Sequence, residues 1–542
     1  MPGLLRSLYE KLLADPLGFS VPPAQPPRVS ASVVPWRVGG GGEIEVYWVR
    51  RSAELAFMGG WHAFPGGGLS KSDAALPVRG LPAGMSEGGT VALPPEALRL
   101  GDTDPDLVPG LLACALRELF EEVGLLVAFG LPAEFDLASA HRAQLADGKQ
   151  LGVQLDETDA QLDASRLVFA GRWLTPPFAP MRFDNRFFLL EWPADLAEQP
   201  EVIPGELATG EWISAAAAYD RFRRAEVLAA PPILHILRVL AEDGPERGLP
   251  RLLDPAEADW GPMRKIEMRD GIAMLPLRTR TLPPAATTNA YLLGRGDAVL
   301  VDPGSDLPEE IDRLEAALAA AREKDGRRVV EIWLTHHHPD HVAGAAELQR
   351  RLRLPIAAHP LTAERLGNRL TIARELADDQ RIELAGLSPG KALGEASGEA
   401  MTFRVLHTPG HARGHLCFFE EAQGSLICGD LVAGIGTIVI DPPEGDMTAY
   451  LASLERMIAL APRTLFPAHG PAIEDSVGKL SEYVAHRLRR EEKVLAAWGH
   501  GLRSAAEMVP SVYDDAPDAA RLLAERQIEA HLARLRSLGR IQ

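Results

Sequence analysis

Cysteine is scarce: the 542 residues hold three, Cys114, Cys417 and Cys428. They lie far apart beside apolar neighbours and form no C-x-x-C. A disulfide framework is therefore excluded, and reduced core thiols of a cytoplasmic protein are the expectation. Long apolar runs are missing too. No stretch approaches the ~18 residues of a membrane-spanning helix, so neither a transmembrane segment nor a membrane partner is expected. The opening Met1-Pro2-Gly3-Leu4-Leu5-Arg6 lacks a sustained apolar core and soon meets Glu10, Lys11 and Asp15. It reads as a short amphipathic helix (Leu4, Leu5, Leu8, Leu12), not a signal peptide. Positive charge is in deficit, with 56 Lys and Arg against 75 Asp and Glu and a net of −19. That balance argues against broad attraction to nucleic acid or anionic lipid, although a local basic face can survive it. No internal repeat is visible. What remains is a 46% hydrophobic chain able to bury sizeable cores, long enough for about three or four domains.

The densest chemistry lies in Thr335-His336-His337-His338-Pro339-Asp340-His341. An apolar run, Val329–Leu334, precedes it and reads as a buried strand, while Ala343–Leu348 reads as the start of a helix. Period-2 geometry points His336 and His338 the same way, and the adjacent Asp340 and His341 face a second position. Four imidazole or carboxylate donors within six residues suit zinc, and a pair of ions better than one. Three more candidate ligands each close a strand-like run: His411 in Thr408-Pro409-Gly410-His411, Asp430 in Cys428-Gly429-Asp430, and His469 in Pro467-Ala468-His469-Gly470. Ligands at successive strand ends converge on one edge of a sheet.

Together with Asp302-Pro303-Gly304, these motifs resemble the metallo-β-lactamase fold over roughly residues 266–480. The resemblance implies an αββα sandwich with two Zn²⁺. His336, His338 and His411 would hold one ion, Asp340, His341 and His469 the other, and Asp430 would bridge them. Asp302 would orient ligands without being one. His337 and His407 fall outside the pattern and read as solvent-facing or packing residues, and His415 as structural. Two zinc ions would make a hydroxide nucleophile available near neutral pH, so Asp340 and Asp430 count among the catalytic candidates.

A second constellation is Arg117-Glu118-Leu119-Phe120-Glu121-Glu122-Val123-Gly124-Leu125. On a helix, Glu118, Glu121 and Glu122 share one face, and three crowded carboxylates suit Mg²⁺ or Mn²⁺. The stretch resembles the second half of a Nudix box, with Phe64-Pro65-Gly66-Gly67-Gly68 as its glycine-rich entry. In the usual box a Gly stands fourteen residues before the Arg and a Glu eight before it. Here those positions are Thr103 and Pro109, so residues 70–108 read as an insertion within the box. Such an interrupted box resembles the motif-19 branch of coenzyme A diphosphatases. Arg172–Pro177, Arg182–Phe188 and Ala230–His235 add to the likeness. The coenzyme A signature is nearly complete: Arg51-Ser52, Gly60 and Phe64-Pro65-Gly66-Gly67 stand at the right spacing, with Ala56 where its second Arg belongs. The resemblance makes Arg51, Gly66, Gly67 and Arg182 the substrate-binding candidates.

The expected order is an N-terminal helix and Pro-rich lead (1–27), a Nudix α/β/α sandwich (28–241), a Pro/Gly-punctuated linker (242–265), the metallo-β-lactamase sandwich (266–480) and a helical cap (481–542). The cap, with helices from Tyr483, near Ser504–Met508 and from about Pro517 to Leu538, resembles the winged-helix tail of the lactamase-β-like-2 and glyoxalase II-like type. The chain stops where wing strands would begin, so a full DNA-reading module is not expected. Residues 484–542 carry ten Lys and Arg against eight Asp and Glu, unlike the acidic remainder. Two function classes stay open. One is a bifunctional hydrolase, a Nudix diphosphatase acting on a nucleotide or coenzyme A derivative joined to a two-zinc ester or thioester hydrolase. The other is an RNA-processing enzyme that cuts single-stranded RNA at the zinc site and trims pyrophosphate at the Nudix site.

Overall fold

A computed structural model describes residues 26–55, 58–80, 107–148, 150–175, 181–192, 200–202, 205–255, 259–386, 399–515 and 521–542. The N-terminal helix expected over 1–27 and the Ala56 position lie outside the described residues. The chain divides near Asp259 and Trp260 into two compact units.

The first unit is built on a mixed sheet. Its main path runs Leu207–Ser214, Ile44–Arg51, Arg28–Val38, Phe183–Glu191 and Leu167–Leu174. Period-2 alternation sorts the strand side chains to two faces. Tyr47 and Val49 join a core with the Val108–Val123 helix, whereas Val46 and Trp48 join one with the Ala215–Arg223 and Pro231–Leu253 helices. The result is an α/β/α sandwich. The short strand Gly66–Gly68 pairs antiparallel with Arg28–Val38, Gly67 lying opposite Ala31.

The stretch read as a linker from residue 242 is helical to Leu253 and belongs to this first unit. Gly244 breaks the helix with φ 73°, and Pro245 restarts it at once, since Pro needs no amide partner in a first turn. Leu252 and Leu253 are buried in the two cores.

The second unit stacks a seven-stranded sheet on a five-stranded one. The first begins with antiparallel strands Ile266–Arg269, Ile272–Arg278, Thr287–Leu293 and Asp297–Val301, so two strands precede the hairpin expected to open the fold. It continues in parallel through Arg328–Trp333, Ile356–Ala358 and Arg374–Glu375. The second comprises Arg381–Leu384, Met401–His407, Leu416–Glu420, Ser425–Gly429 and Thr464–Pro467. Aromatic rings fill the space between the sheets, with Trp333 against Phe418 at 4.9 Å and Tyr291 against Phe466 at 6.0 Å. The outer faces are covered by the Pro308–Asp325 and Ala345–Leu352 helices on one side and Met447–Leu460 on the other, an αββα sandwich. Three further helices follow: Ser476–Gly499, Ala505–Val512 and Arg521–Ser537. The first starts seven residues before Tyr483, capped by the Asp475 carboxylate on the Gly478 amide. Among the described residues no helix is long and apolar enough to cross a membrane.

Candidate active sites

In the first unit the Val108–Val123 helix presses Leu112, Leu116, Leu119 and Phe120 onto the sheet and stops at Gly124 in the left-handed conformation. Glu118, Glu121 and Glu122 therefore emerge beside the Gly66–Gly68 strand. The Gly66 amide donates to Glu122 Oε2 at 2.8 Å. A Cβ on Gly67 would stand 2.3 Å from Glu118 Oε1, so the bare backbone is what admits the carboxylate. Arg117 lies between three acids, donating from Nε to Asp73 Oδ1 at 2.6 Å and reaching Glu121 at 2.7 Å and Glu118 at 2.9 Å. One cation does not neutralise four carboxylates. Burial and repulsion from Glu121 push Glu118 up to about 7, against the pull of Arg117. Burial and the Glu118 charge push Glu122 up to about 8, against the Gly66 amide and Arg51. An all-oxygen, electron-rich set of this kind could hold a hard divalent cation. The three glutamates do not converge on one point, however: Arg117 draws Glu118 and Glu121 while Glu122 turns to Gly66.

Asp73 was not among the residues expected here. The reading of 70–108 as an insertion is corrected at its start, because Asp73 is fully buried against Arg117. A signal existed: Asp73 stands six residues after Gly67, the interval that separates Gly and Glu in the usual box. Gln144 was missed as well; its amide donates to Glu121 Oε1 at 2.5 Å. The Arg51 Nε is buried without a hydrogen-bond partner. Arg182 donates from Nε to the Thr175 carbonyl at 3.1 Å, a contact that holds the chain rather than a ligand. All three cysteines are buried and unpaired.

In the second unit the expected ligands gather from four segments that follow strand ends. Three groups have donor atoms within 4.8 Å of one another and could each hold a metal ion: His336, His338 and His411; His336, His341 and Asp430; Asp340, His341 and His469. His338 Nδ1 faces both His336 Nε2 and His411 Nε2 at 2.9 Å. Nitrogens around one tetrahedral zinc would stand about 3.3 Å apart, so this spacing is near what an ion requires. Asp430 is central, 3.3 Å from His411 Nε2, 3.5 Å from His341 Nε2 and 3.4 Å from His469 Nε2. His341 Nε2 and Asp430 Oδ1 are buried atoms without a hydrogen-bond partner, as atoms reserved for a cation would be.

The outward nitrogens of these histidines are tied down. His341 Nδ1 meets Asp302 Oδ2 at 2.8 Å, His411 Nδ1 the Val439 carbonyl at 2.7 Å and His469 Nδ1 the Thr287 carbonyl at 3.1 Å. Each bond takes a proton from Nδ1 and leaves Nε2 turned inward, toward the cluster. Asp302 also accepts from the Thr335 amide and hydroxyl at 2.8 and 2.5 Å. It takes φ 49°, and a Cβ on the nearby Gly304 would strike the Asp340 carbonyl at 1.7 Å. His415, read as structural, receives the Asp430 amide on Nε2 at 3.0 Å and contacts the Thr408 hydroxyl at 2.8 Å. His407 meets the Arg413 carbonyl at 2.8 Å and stacks on His359. His337 is buried rather than solvent-facing.

Burial and mutual repulsion drive His336 and His338 well below the ordinary histidine range, so both are neutral, the form that can ligate a metal. At His341 burial acts the same way, but Asp430, Asp340 and Asp302 outweigh it and hold the pKa well above the ordinary value. Burial raises the Asp430 carboxyl, but the electrostatic pull of the histidines facing it, with the His341 contact, overrides burial and holds it well below the ordinary value. Neutral His336 and His338 beside an ionised Asp430 offer bare nitrogens and a carboxylate to a cation.

Three family models match the chain. The metallo-beta-lactamase superfamily model matches residues 284–469, the NUDT19 Nudix domain model 31–240, and the beta-lactamase associated winged helix domain model 504–542. The Beta-lactamase-like protein 2 homolog of Drosophila melanogaster is 30% identical over 260 residues, 47% of this chain and 84% of the relative. The Atrochrysone carboxyl ACP thioesterase of Aspergillus chevalieri is 32% identical over 241 residues, 43% of this chain and 69% of the relative. Among solved structures, a NUDIX hydrolase from Alicyclobacillus acidocaldarius is 30% identical, covering 41% of this chain and 94% of that one at a TM-score of 0.33. The chain belongs to the metallo-β-lactamase superfamily, with a Nudix domain ahead and a winged-helix domain behind: it is a hydrolase fusion.

Proposed function

We propose that the second unit is a two-zinc hydrolase of a thioester or ester, and the first a Mg²⁺- or Mn²⁺-dependent diphosphatase for a nucleoside diphosphate or coenzyme A derivative. The observation that carries the reading is Asp430, set among His341, His411 and His469 with one buried oxygen unpaired. In this reading His336, His338 and His411 hold one zinc, Asp340, His341 and His469 the other, and Asp430 both. Bound zinc would supply a nucleophile at neutral pH and polarise the acyl carbonyl. The chain's own part is to hold that set rigid. Asp302, Val439 and Thr287 keep each proton on the outward histidine nitrogen, and His415 anchors the Asp430 backbone. A thioester is favoured because one relative is named a carboxyl ACP thioesterase.

In the first unit a divalent ion would have to draw Glu118, Glu121 and Glu122 from Arg117 and the Gly66 amide onto one point, where it would neutralise diphosphate charge and orient water. Arg51 and the bare backbone of Gly66 and Gly67 would admit the diphosphate. The cytoplasm suits three reduced thiols, and the substrates are read as small molecules.

The test offers the purified chain acyl-coenzyme A, coenzyme A, dinucleotides and single-stranded RNA, with Mg²⁺ and Zn²⁺ varied separately. About two zinc per chain, zinc-dependent thioester cleavage and its loss in Asp430→Ala are expected, with the Mg²⁺-dependent reaction intact. RNA cleavage with thioesters untouched would replace this reading by RNA processing.

A further inference from the structure

A short path joins the C-terminal helices to the proposed zinc site. His411 Nδ1 donates to the Val439 carbonyl at 2.7 Å, in the segment between the Ser425–Gly429 strand and the Met447–Leu460 helix. The preceding carbonyl, of Ile438, accepts from two buried side chains. One is the Arg487 guanidinium of the Ser476–Gly499 helix, and the other is Gln527 Nε2 of the Arg521–Ser537 helix, at 3.1 Å. Arg487 and Gln527 also bond to one another at 3.4 Å and are 1% and 4% exposed. On the other side of Val439, Arg526 pairs with the Asp441 carboxylate and donates to the Pro442 carbonyl. Ile438 and Ile440 are buried between these anchors, in a core that includes Ala530 of the last helix.

These contacts pin both ends of a segment only three peptides long. With the Ile438 carbonyl and Asp441 fixed, the Val439 carbonyl has almost no rotation left, and its direction is the one His411 needs. We infer that Arg487 and Gln527 are positioning residues for His411. The helical tail braces the active site by fixing the carbonyl that sets the tautomer and ring orientation of one ligand. The inference rests on the reading of His411 as a zinc ligand. Arg487 acts a second time: its guanidinium lies 5.5 Å over the Tyr450 ring, and the Tyr450 hydroxyl donates to the Leu431 carbonyl, next to Asp430.

The test uses the full-length chain and measures zinc stoichiometry and release to a competing chelator. Gln527→Met keeps the volume and removes the donor. Arg487→Lys keeps the charge and removes the fork. Arg490→Lys is the control, because Arg490 bonds the Val512 carbonyl and Asp515 within the tail and does not touch the Ile438–Pro442 segment. Disturbing a partner of a metal-bound histidine typically weakens affinity about 10–100-fold. Gln527→Met is expected to release one of the two zinc ions about that much more readily. Nitrogen NMR of the zinc-free protein should then show His411 losing its fixed Nδ1-protonated form, with Arg490→Lys like wild type. Gln527→Met retaining zinc as wild type does, or Arg490→Lys losing it equally, would overturn the inference. Should Arg487→Lys not fold, Gln527→Met decides alone. His411→Ala separates the two readings: if it keeps both zinc ions, the ligand assignment is wrong, and the positioning role goes with it.

Discussion

Asp73 carries more of the first unit than its place before a long insertion suggests. It is fully buried and binds Arg117 at 2.6 Å, so Asp73→Ala leaves a guanidinium in the core with Glu118 and Glu121 as its remaining acidic partners. Removing one partner of a buried ion pair costs about 3–5 kcal/mol, and the two remaining acids place this case near ~3. Urea unfolding should show that loss for the first unit, whereas an unchanged midpoint would mean that Arg117 is satisfied without Asp73. At the residue scale the histidines were the readable part, since each closes an apolar run and strand ends converge. Asp73 was hidden because a broken spacing disguised it. Val439 and Thr287 act through backbone carbonyls, which no side-chain pattern records.

The Phe183–Glu191 strand illustrates how an element can depend on pH. Its Asp184 receives Arg172 on both oxygens, at 2.6 and 2.9 Å, and Arg186 at 2.8 Å. Burial alone would raise the Asp184 carboxyl, but these hydrogen bonds and charges outweigh it and hold the pKa below the ordinary value. A depressed folded-state pKa stabilises the protein above the unfolded value, near pH 4, and the contribution is lost as pH falls through the folded value. The first unit should therefore lose stability on acidification below about pH 4, and Asp184→Asn should flatten that limb while lowering stability at pH 7. A limb of unchanged steepness in the variant would assign acid sensitivity to other carboxylates. Elements were legible where periodicity was strong, as in the Val108–Val123 helix and the strands before each histidine. The segment after Glu242 was misread for a physical reason: Gly244 and Pro245 look like loop punctuation, yet together they stop one helix and start the next. The burial of Leu252 and Leu253 comes from tertiary packing that a local reading does not see.

The helix that runs to Leu253 sets the place at which the molecule can be divided. A chain cut after residue 245 would leave the first unit without Gly248, Leu252 and Leu253, all buried, and at about 1.5–3 kcal/mol per buried Leu it should aggregate or melt early. A cut between residues 255 and 259 keeps them, and both pieces should fold, as light scattering and thermal melts would report. In the same spirit, Glu122→Gln should remove the Mg²⁺-dependent reaction and spare the zinc-dependent one, since the two sites share no residue. The fusion then acquires a chemical meaning if both sites act on one molecule. A thioester of coenzyme A would offer an acyl–sulfur bond to the proposed zinc site and a diphosphate to the Nudix site. Joining two sites on one chain raises the local concentration of the shared intermediate when the tether lets both engage it. Incubation with acyl-coenzyme A should release free acid first and then the two halves of the cofactor, with the intermediate building up in Glu122→Gln. Accumulation of coenzyme A in the unaltered protein at the rate of thioester cleavage would show that the Nudix site serves a different diphosphate, and the two hydrolases would share only a chain.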